Sequence, residues 1–300
     1  MSIIVFGSIN IDLVTRVSRL PTAGETLLGH SFTTVPGGKG ANQAVGCAKL
    51  GAKTEMIGRV GGDVFGQALL DSLQTAGVDT TNVLVDQEAT SGVATISVAD
   101  SAENNIIVVP GANGRIDQTD LQQLEQQLPN AKLLLLQLEI PVPMVVQAAE
   151  LAQQAGVTVI LDPAPAANIP DALYQATSII TPNESEAAQL LGYPIDSIAT
   201  AKQAAEELHG RGVQIAIIKL GANGCVVADG QTTTHYPSRK VTAVDTVAAG
   251  DAFNAGLAAA LANNKSLPDA IQQALSAGAY AVTQHGAQSA MPTQADLQTL

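Results

Sequence analysis

The sequence predicts a three-layer α/β/α fold with a mostly parallel central sheet. Most candidate strands are short continuous runs of Val, Ile and Leu, which indicates strands that helices cover on both faces. A glycine that ends a helix precedes several of them, as in Leu50-Gly51-Ala52 and Ala155-Gly156-Val157. Two stretches, about 11–36 and 91–110, lack this pattern. We therefore expect a single α/β domain over 1–300, with two excursions that form a small β-sheet lid.

The strands of the central sheet are expected at the apolar runs. The first run covers 3–6 and ends at Gly7. The later candidates lie at 54–58, 133–136, 157–161, 178–181 and 214–219. Ligands bind beyond the carboxyl ends of the strands in an open α/β sheet, so the polar residues that follow these runs are site candidates.

The lid is predicted from segments of a different character. Residues 13–17 and 26–35 resemble short strands, and Pro21-Thr22-Ala23-Gly24 separates them. The segment Gly92-Val93-Ala94-Thr95-Ile96-Ser97-Val98 alternates more between large and small side chains, so it can pair with the two earlier strands. These strands fit a separate small sheet better than a doubly wound core.

Composition limits the classes of function. The chain is 46% hydrophobic but only 3% aromatic, so its core must be built from Ala, Val, Ile and Leu. The formal charge of −13 argues against binding to nucleic acid or to an anionic membrane, since both require a basic surface. Without a basic leader or a long apolar span, and with two isolated cysteines, Cys47 and Cys225, we expect a soluble cytoplasmic protein with reduced thiols. The Gln-rich segment 120–127 is interpreted as a solvated helix face.

The stretch Val244-Asp245-Thr246-Val247-Ala248-Ala249-Gly250-Asp251 carries the clearest chemical signal. An Ala- and Leu-rich run follows it, which predicts a helix that begins at about Gly250. The first N–H groups of a helix lack intrahelical acceptors and lie at the positive end of its dipole, so they can enclose an anion. Asp251 is then either a general base beside a bound phosphoryl group or only a helix-start residue.

This stretch resembles Asp-Thr-x-Gly-Ala-Gly-Asp, the signature of the ribokinase family of carbohydrate kinases. The resemblance implies a ribokinase-like fold in which Asp251 is the catalytic base. It also implies that the preceding small residues form an anion hole, here Ala248, Ala249 and Gly250. Ala248 stands where the family usually has glycine, and we expect an alanine to serve there with a negative φ.

A second motif, Gly-Gly-Lys-Gly-Ala-Asn over 37–42, resembles the segment with which ribokinases contact the sugar. A sugar requires hydrogen-bond acceptors and donors together, because a hydroxyl left unpaired in a closed site costs about 1–3 kcal/mol. Each residue alone is also explained as a cap, a turn residue or a surface charge. The resemblance implies a sugar site formed by Asn10, Asp12, Gly38, Lys39, Gly40, Asn42, Glu139 and Asp251.

The nucleotide site is implied by two further motifs. Thr181-Pro182-Asn183-Glu184-Ser185-Glu186 resembles the family's Asn-x-x-Glu motif, which implies that Glu186 holds Mg²⁺ through water. Without the resemblance, the same segment is a capped helix start, and the segment that begins at Lys219 is an ordinary glycine turn. The implied ATP-binding residues are Asn183, Lys219, Gly221, Ala222, Gly224, Gly250 and Leu275.

A monovalent cation, K⁺ or a similar ion, is implied beside the anion hole. The positions that correspond to its ligands are Asp245, Val247, Ala281, Gln284, Gly286 and Ala290. Ala290 stands where a serine is common in ribokinases, so one oxygen ligand is missing. Leu275 similarly replaces a histidine or asparagine near the adenine. These departures concern the ion and adenine contacts rather than the class of reaction.

Together the motifs imply phosphoryl transfer from MgATP to the primary hydroxyl of D-ribose, which gives ribose 5-phosphate. The family also implies a homodimer joined through the lids, with no nucleic acid or membrane partner. Two alternatives remain open from the residues. One is a kinase for another sugar or a nucleoside, such as deoxyribose, fructose or adenosine. The other is a non-catalytic sugar-binding regulator on the same fold.

Overall fold

A computed structural model describes residues 2–101 and 103–299. Met1, Ala102 and Leu300, which the expected domain 1–300 includes, lie outside the described residues. The strands are β1 Ser2–Phe6, β2 Asn10–Val17, β3 Gly29–Gly37, β4 Thr54–Gly61, β5 Val83–Asp86, β6 Gly92–Ala99, β7 Asn104–Val109, β8 Ala131–Leu136, β9 Thr158–Leu161, β10 Ile179–Ile180, β11 Ile215–Lys219, β12 Cys225–Ala228 and β13 Thr233–Tyr236. The helices are α1 Lys39–Lys49, α2 Val64–Thr75, α3 Gln118–Gln127, α4 Val142–Gln154, α5 Asp171–Ala176, α6 Glu184–Leu191, α7 Ile198–Gly210, α8 Ala249–Ala262, α9 Leu267–Ala281 and α10 Gln294–Thr299.

The central sheet has nine strands in the order β13-β12-β11-β10-β9-β8-β1-β4-β5. The pairs from β11 to β5 are parallel, whereas β12 and β13 add an antiparallel edge. The expectation of a mostly parallel sheet is confirmed. All carboxyl ends of the parallel strands therefore open on the same edge, where the polar side chains that follow them converge.

Helices cover both faces of this sheet, and β1 shows why. Alternate residues of a strand point to opposite faces, and Ile4 and Phe6 join a core with α3, α4 and α7. Ile3 and Val5 join the opposite core with α1, α2, α8 and α9. All four side chains are at most 1% exposed, which explains why the strand sequence is continuously apolar.

The glycines that were expected to end helices adopt the left-handed conformation that this role requires. Their φ angles are 79° at Gly51, 85° at Gly77, 71° at Gly156 and 112° at Gly212. Each of these glycines is followed within a few residues by a strand or an isolated bridge of the sheet. The chain thus returns to the sheet after each of these helices by a short turn.

The second sheet has four strands in the order β3-β2-β6-β7. Strand β6 pairs with β2, as predicted for these segments, and the pairing is parallel, whereas β3 and β7 flank the pair in antiparallel orientation. Asn10 opens β2 directly after the loop that follows β1. The small sheet therefore begins at the carboxyl edge of the large one, where a lid over that edge must be attached.

The interpretation of 120–127 as a solvated helix face is wrong at Asp120. Its carboxylate is fully buried and accepts hydrogen bonds from Arg59 Nε at 3.0 Å and Nη2 at 2.6 Å. The same guanidinium contacts Asp117 at 2.7 Å. A buried acid is tolerated because the bidentate partner compensates for its lost hydration. Along the described residues, no helix is long and apolar enough to cross a membrane.

Candidate active site

The first turns of α1 and α8 meet at the carboxyl edge of the central sheet, and Asp251 is the acid between them. Its Oδ2 accepts a hydrogen bond from Asn42 Nδ2 at 3.0 Å, and its Oδ1 accepts one from Gln43 Nε2 at 3.0 Å. Asp251 is 4% exposed. Burial raises the pKa of this carboxyl, Asp162 adds to the rise, and Lys39 and the two amides oppose it.

The start of α8 contains the small residues that were expected to form an anion hole, but the φ angle of Ala248 differs from our expectation. Ala248 has a φ of 58°, so the expectation of a negative φ is wrong. The left-handed residue turns the chain into the helix, and Ala252 N donates to Ala248 O as the first α-helical hydrogen bond. The N–H groups of Gly250 and Asp251 have no acceptor within 2–101 and 103–299, as expected for a helix start.

Lys39 is the first residue of α1 and lies among acidic groups. Burial alone would lower the pKa of its ammonium, but the carboxylates of Asp251, Asp162, Glu139 and Glu186 outweigh burial and raise it well above the ordinary value. The ammonium therefore stays charged throughout the range in which proteins are stable. It supplies the positive charge that makes a cluster of carboxylates tolerable.

Asp12 and Glu139 provide the expected acceptors. Glu139 Oε2 accepts from Ser8 Oγ at 2.5 Å and from the backbone N–H of Lys39 at 3.0 Å, so it fixes the loop after β1 against the start of α1. Asp12 lies on β2. Burial, together with the charges of Glu139 and Asp251, raises its pKa to about 6.

The glycines of the sugar motif permit a close approach of two backbones. A Cβ at Gly38, whose φ is 88°, would lie 2.7 Å from Asn10 N, and a Cβ at Gly40 would lie 2.7 Å from Ser8 N. Both positions therefore exclude a side chain. The loop between β1 and β2 lies against the start of α1, which brings Asn10 and Asp12 to the same side as Lys39 and Asn42.

Asn183 and Glu186 cap each other at the start of α6. Asn183 Oδ1 accepts from Glu186 N, Glu186 Oε2 accepts from Asn183 N, both at 2.8 Å, and Glu186 Oε1 accepts from Asn183 Nδ2 at 2.9 Å. The local alternative, a capped helix start, is therefore present in the structure. Burial and then the charge of Asp162 raise the pKa of Glu186, so the capped acid also faces the crevice.

The expected nucleotide loop follows β11. Lys219 ends the strand, forms an isolated bridge with Asn183 and donates from Nζ to Asp162 Oδ1 at 2.9 Å. A Cβ at Gly250 would lie 3.3 Å from the same Nζ, so the ammonium lies beside the start of α8. Gly221 and Ala222 form an exposed turn, and Gly224 is buried behind it.

The other expected adenine residue, Leu275, lies on α9 and is 6% exposed within the apolar core. The C-terminal half of α9 approaches the start of α8, since a Cβ at Gly278 would lie 3.3 Å from Ala249 O. The structure therefore brings the end of α9, and the segment after it, beside the small-residue turn.

That segment and the residues before α8 contain the expected cation ligands. Asp245 Oδ1 accepts from Val247 N and Oδ2 accepts from Gly286 N, both at 3.0 Å. Ala281 O accepts from Gln284 N at 3.0 Å, so these two positions lie together at the end of α9. Ala290 lies buried in the next short turn. The structure brings Asp245, Val247 and Gly286 together directly.

Three buried polar residues of the site, Gln43, Ser8 and Asn113, were not expected there, and a fourth, Asp162, was expected only as a polar residue that follows a predicted strand. Gln43 donates hydrogen bonds to both Asp162 and Asp251, and Ser8 donates one to Glu139. Asn113 Nδ2 donates to Asn10 Oδ1 at 2.7 Å, and Asn113 Oδ1 accepts from Ile9 N at 2.9 Å. Sequence signals existed for two of them: Gln43 follows Asn42 in the sugar motif, and Asp162 follows a predicted strand. Asn113 lies 104 residues from Ile9 and carries no local signal.

The chain is similar to known carbohydrate kinases along nearly its whole length. Residues 1–294 match the model of the pfkB family carbohydrate kinases. A ribokinase from Haemophilus influenzae is 41% identical over 290 residues, which are 97% of this chain and 95% of the relative. A deoxyribokinase from Salmonella typhi is 35% identical over 98% of this chain and 96% of the relative. The structure of Arabidopsis thaliana ribokinase complexed with ribose and ATP matches with a TM-score of 0.92 at 32% identity, covering 99% of this chain and 97% of that one.

The conformation of Ala248 gives a stability prediction. Replacement by glycine removes the strain of a left-handed alanine, so we expect Ala248→Gly to raise the free energy of unfolding by about 0.5–1 kcal/mol. The neighbouring Ala249→Gly, at a helical position, should lower it by about 0.5–1 kcal/mol. Urea denaturation of both variants measures the difference. Equal destabilisation by the two changes would contradict the left-handed conformation.

Proposed function

Because this chain belongs to the pfkB family of carbohydrate kinases, we propose that it transfers the γ-phosphoryl group of ATP to the 5-hydroxyl of D-ribose. The similarity to ribokinases, including one whose structure holds ribose and ATP, supports this substrate. The observation that carries the mechanism is the position of Asp251. It is a buried carboxylate in the first turn of α8, directly beside free backbone N–H groups.

The sugar site combines acceptors and donors around Asp251. Asp12 and Glu139 are ionisable acceptors, and Lys39 supplies a charged donor. Asn42 Oδ1 is buried and has no hydrogen-bond partner among residues 2–101 and 103–299. Such an orphaned acceptor is costly unless a ligand or water satisfies it. A sugar hydroxyl that donates to Asn42 Oδ1 removes that cost.

Asp251 acts as the general base. The 5-hydroxyl of ribose gives its proton to the Asp251 carboxylate while the hydroxyl oxygen bonds to the γ-phosphorus. The bond between that phosphorus and the β–γ bridging oxygen breaks, and ADP leaves. The amides of Asn42 and Gln43 hold the carboxylate in place before the proton arrives.

The start of α8 and the loop after β11 bind the phosphates. The N–H groups of Ala248, Ala249 and Gly250 stabilise the negative charge on the transferred phosphoryl oxygens. Lys219 lies beside Gly250 and adds a point charge. Gly221, Ala222 and Gly224 form the turn that faces the nucleotide, and Leu275 contributes an apolar contact from α9.

The acidic groups near Asn183 fit Mg²⁺. This ion prefers oxygen ligands and keeps several waters, and both Glu186 oxygens already accept hydrogen bonds from Asn183. Glu186 would hold the ion through water, since a hydrated ion can share these oxygens with the Asn183 donors. Bound Mg²⁺ neutralises charge on the nucleotide phosphates. Glu186 orients the ion's waters, and Asn183 fixes Glu186.

A monovalent cation such as K⁺ fits beside α8. Asp245 fastens the segment before α8 to the segment after α9 through Val247 N and Gly286 N. Backbone carbonyls at Val247, Ala281, Gln284 and Gly286 are the available oxygens, and Ala290 offers no side-chain oxygen. A cation held there would add positive charge beside the transferred phosphoryl group.

We also propose a homodimer joined through the small sheet. Ile106, Ile107, Val108 and Val109 on the edge strand β7 are 48–62% exposed, and Phe32 on β3 is 61% exposed. An exposed apolar edge strand is a liability unless a partner covers it, and a second copy supplies a self-complementary surface. We place the enzyme in the cytoplasm, where ATP is available and the thiols of Cys47 and Cys225 stay reduced.

Deoxyribose is the second candidate substrate, because a deoxyribokinase is also 35% identical to this chain. Ribose and deoxyribose differ by one hydroxyl, and a site built to bind that hydroxyl rejects the analogue that lacks it. Competition between the two sugars in an ADP-release assay separates these candidates. Activity with neither sugar, nor with fructose or adenosine, would favour a non-catalytic binder.

The Asp251→Asn variant tests the base. The amide cannot accept the proton in the transition state, so kcat should fall about 10²- to 10⁴-fold. Ribose binding, measured by calorimetry, should remain, since Asn keeps the size of the side chain. Asp171→Asn, at the exposed first turn of α5, is the matched control and should retain full activity. An unchanged kcat in Asp251→Asn would remove Asp251 from its role.

The raised pKa of Asp12 predicts a pH dependence of ribose binding. The carboxylate is ionised above about pH 6, so its capacity to accept hydrogen bonds from the sugar is present above that pH and is lost as the pH falls through it. We expect KM for ribose to rise below about pH 6. In Asp12→Asn, KM should be higher at all pH values and should no longer rise in this range. A wild-type KM that is constant down to pH 5 would contradict the assignment.

The cation site predicts that the rate depends on the ion in the buffer. K⁺ and Na⁺ differ in size, so a site of fixed carbonyl oxygens should favour one of them and give a higher kcat with it. Asp245→Asn weakens the site and should reduce the difference. Equal rates of the wild-type enzyme in matched K⁺ and Na⁺ buffers would count against a cation at Asp245.

A further inference from the structure

Gln43 is a buried amide between two buried carboxylates. Its Nε2 donates to Asp162 Oδ2 at 2.9 Å and to Asp251 Oδ1 at 3.0 Å, and its Oε1 accepts from Gln137 Nε2 at 2.7 Å. Both N–H bonds are therefore used on carboxylates. A flipped amide would place its oxygen against two negative charges, so these partners fix its orientation.

The contacts of Gln43 continue to the phosphate side of the site. Asp162 is 2% exposed, and its other oxygen, Oδ1, accepts from Lys219 Nζ at 2.9 Å. That ammonium lies beside Gly250 at the start of α8. A continuous row of hydrogen bonds thus runs from Lys219 through Asp162 and Gln43 to Asp251.

We propose that Gln43 is a positioning residue for the reaction, which holds the Asp251 carboxylate in place and ties it to the Asp162–Lys219 ion pair. The proposal rests on the proposed role of Asp251 as the base. Gln43 is 0% exposed, so a bound sugar does not contact it without a rearrangement of the site. Gln43 therefore acts through Asp251 rather than on the substrate.

In this row of hydrogen bonds, Gln43 and Asp162 have opposite effects on the pKa of Asp251. A hydrogen bond from Gln43 favours the ionised carboxylate, whereas the nearby charge of Asp162 disfavours it. Other charged groups also surround this carboxylate and remain unchanged in the test below. Lys39 on α1 and Asp12 on β2 interact with Asp251 through their charges. Glu139 after β8, Glu186 on α6 and Lys219 on β11 interact with the neighbours of Asp251.

The test is the pH profile of kcat at saturating ribose and MgATP, whose acidic limb reports the base in the enzyme–substrate complex. In Gln43→Met, an unbranched replacement without a donor, the limb should move up by about one pH unit, and kcat above it should fall roughly tenfold. In Asp162→Asn the limb should move down. KM for ribose in Gln43→Met should stay within about twofold, since the residue does not contact the sugar.

The matched control is Gln273→Met. Gln273 is also a glutamine with two hydrogen-bond partners, Gly256 O and Lys265 Nζ, but it lies on α9 away from Asp251. Its pH profile should be that of the wild type. A folded Gln43→Met enzyme with an unmoved limb, or with a raised KM and an unchanged kcat, would overturn the positioning role.

A second variant gives an independent test if Gln43→Met does not fold. Gln43→Leu also removes the donor to Asp251 without adding a buried charge, so the limb should move up, as in Gln43→Met. An unmoved limb in this variant overturns the proposal. Failure of the proposed function looks different, because the wild type and Gln273→Met would then release no ADP in response to ribose. That result would contradict both the proposed phosphorylation of ribose and the positioning role of Gln43.

Discussion

The site depends on a balance of charge among groups that are buried or half-buried. Five carboxylates, those of Asp12, Glu139, Asp162, Glu186 and Asp251, face the ammonium groups of Lys39 and Lys219. Burial raises the pKa values of Asp12, Glu186 and Asp251 and opposes the charge of Lys39, so these groups require compensating partners. The lysines and the amides near Asp251 make the cluster tolerable. The excess of negative charge that remains fits a site that receives a nucleotide with Mg²⁺, and it also suits the monovalent cation that we propose.

The fold brings these groups together because parallel strands share a carboxyl edge. Asp162 follows β9, Lys219 ends β11, and Glu139 follows β8 closely, so the sheet alone aligns them. The remaining residues come from the two helix starts and from the small sheet that begins at Asn10. An insertion that lengthened one loop at this edge would separate charges that compensate each other. The edge therefore couples the stability of the site to the register of the sheet.

Much of this arrangement was accessible from the sequence, because apolar runs, helix-ending glycines and small-residue turns are local signals. The missing parts are contacts across long separations. Gln43 meets Asp162 across 119 residues and Asp251 across 208, and Asp120 was read as solvated because its partner Arg59 is 61 residues away. The prediction of a negative φ at Ala248 was wrong for another reason. A run of small residues is compatible with either sign of φ, and only the packing of the turn selects the positive one.

The groups that contact Asp251 suit the role of general base that we propose for it. A base must be ionised before the reaction and must accept a proton during it, so its pKa can be neither very low nor very high. Within the described residues, the hydrogen-bond donors to its carboxylate are the neutral amides of Asn42 and Gln43, whereas Lys39 acts through its charge without a hydrogen bond. A direct ion pair would hold the proton affinity of the carboxylate too low, and burial without donors would leave it protonated. The two amides and the charge of Lys39 oppose the rise that burial causes in the pKa of Asp251, and the adjacent helix starts bring these groups to the carboxylate.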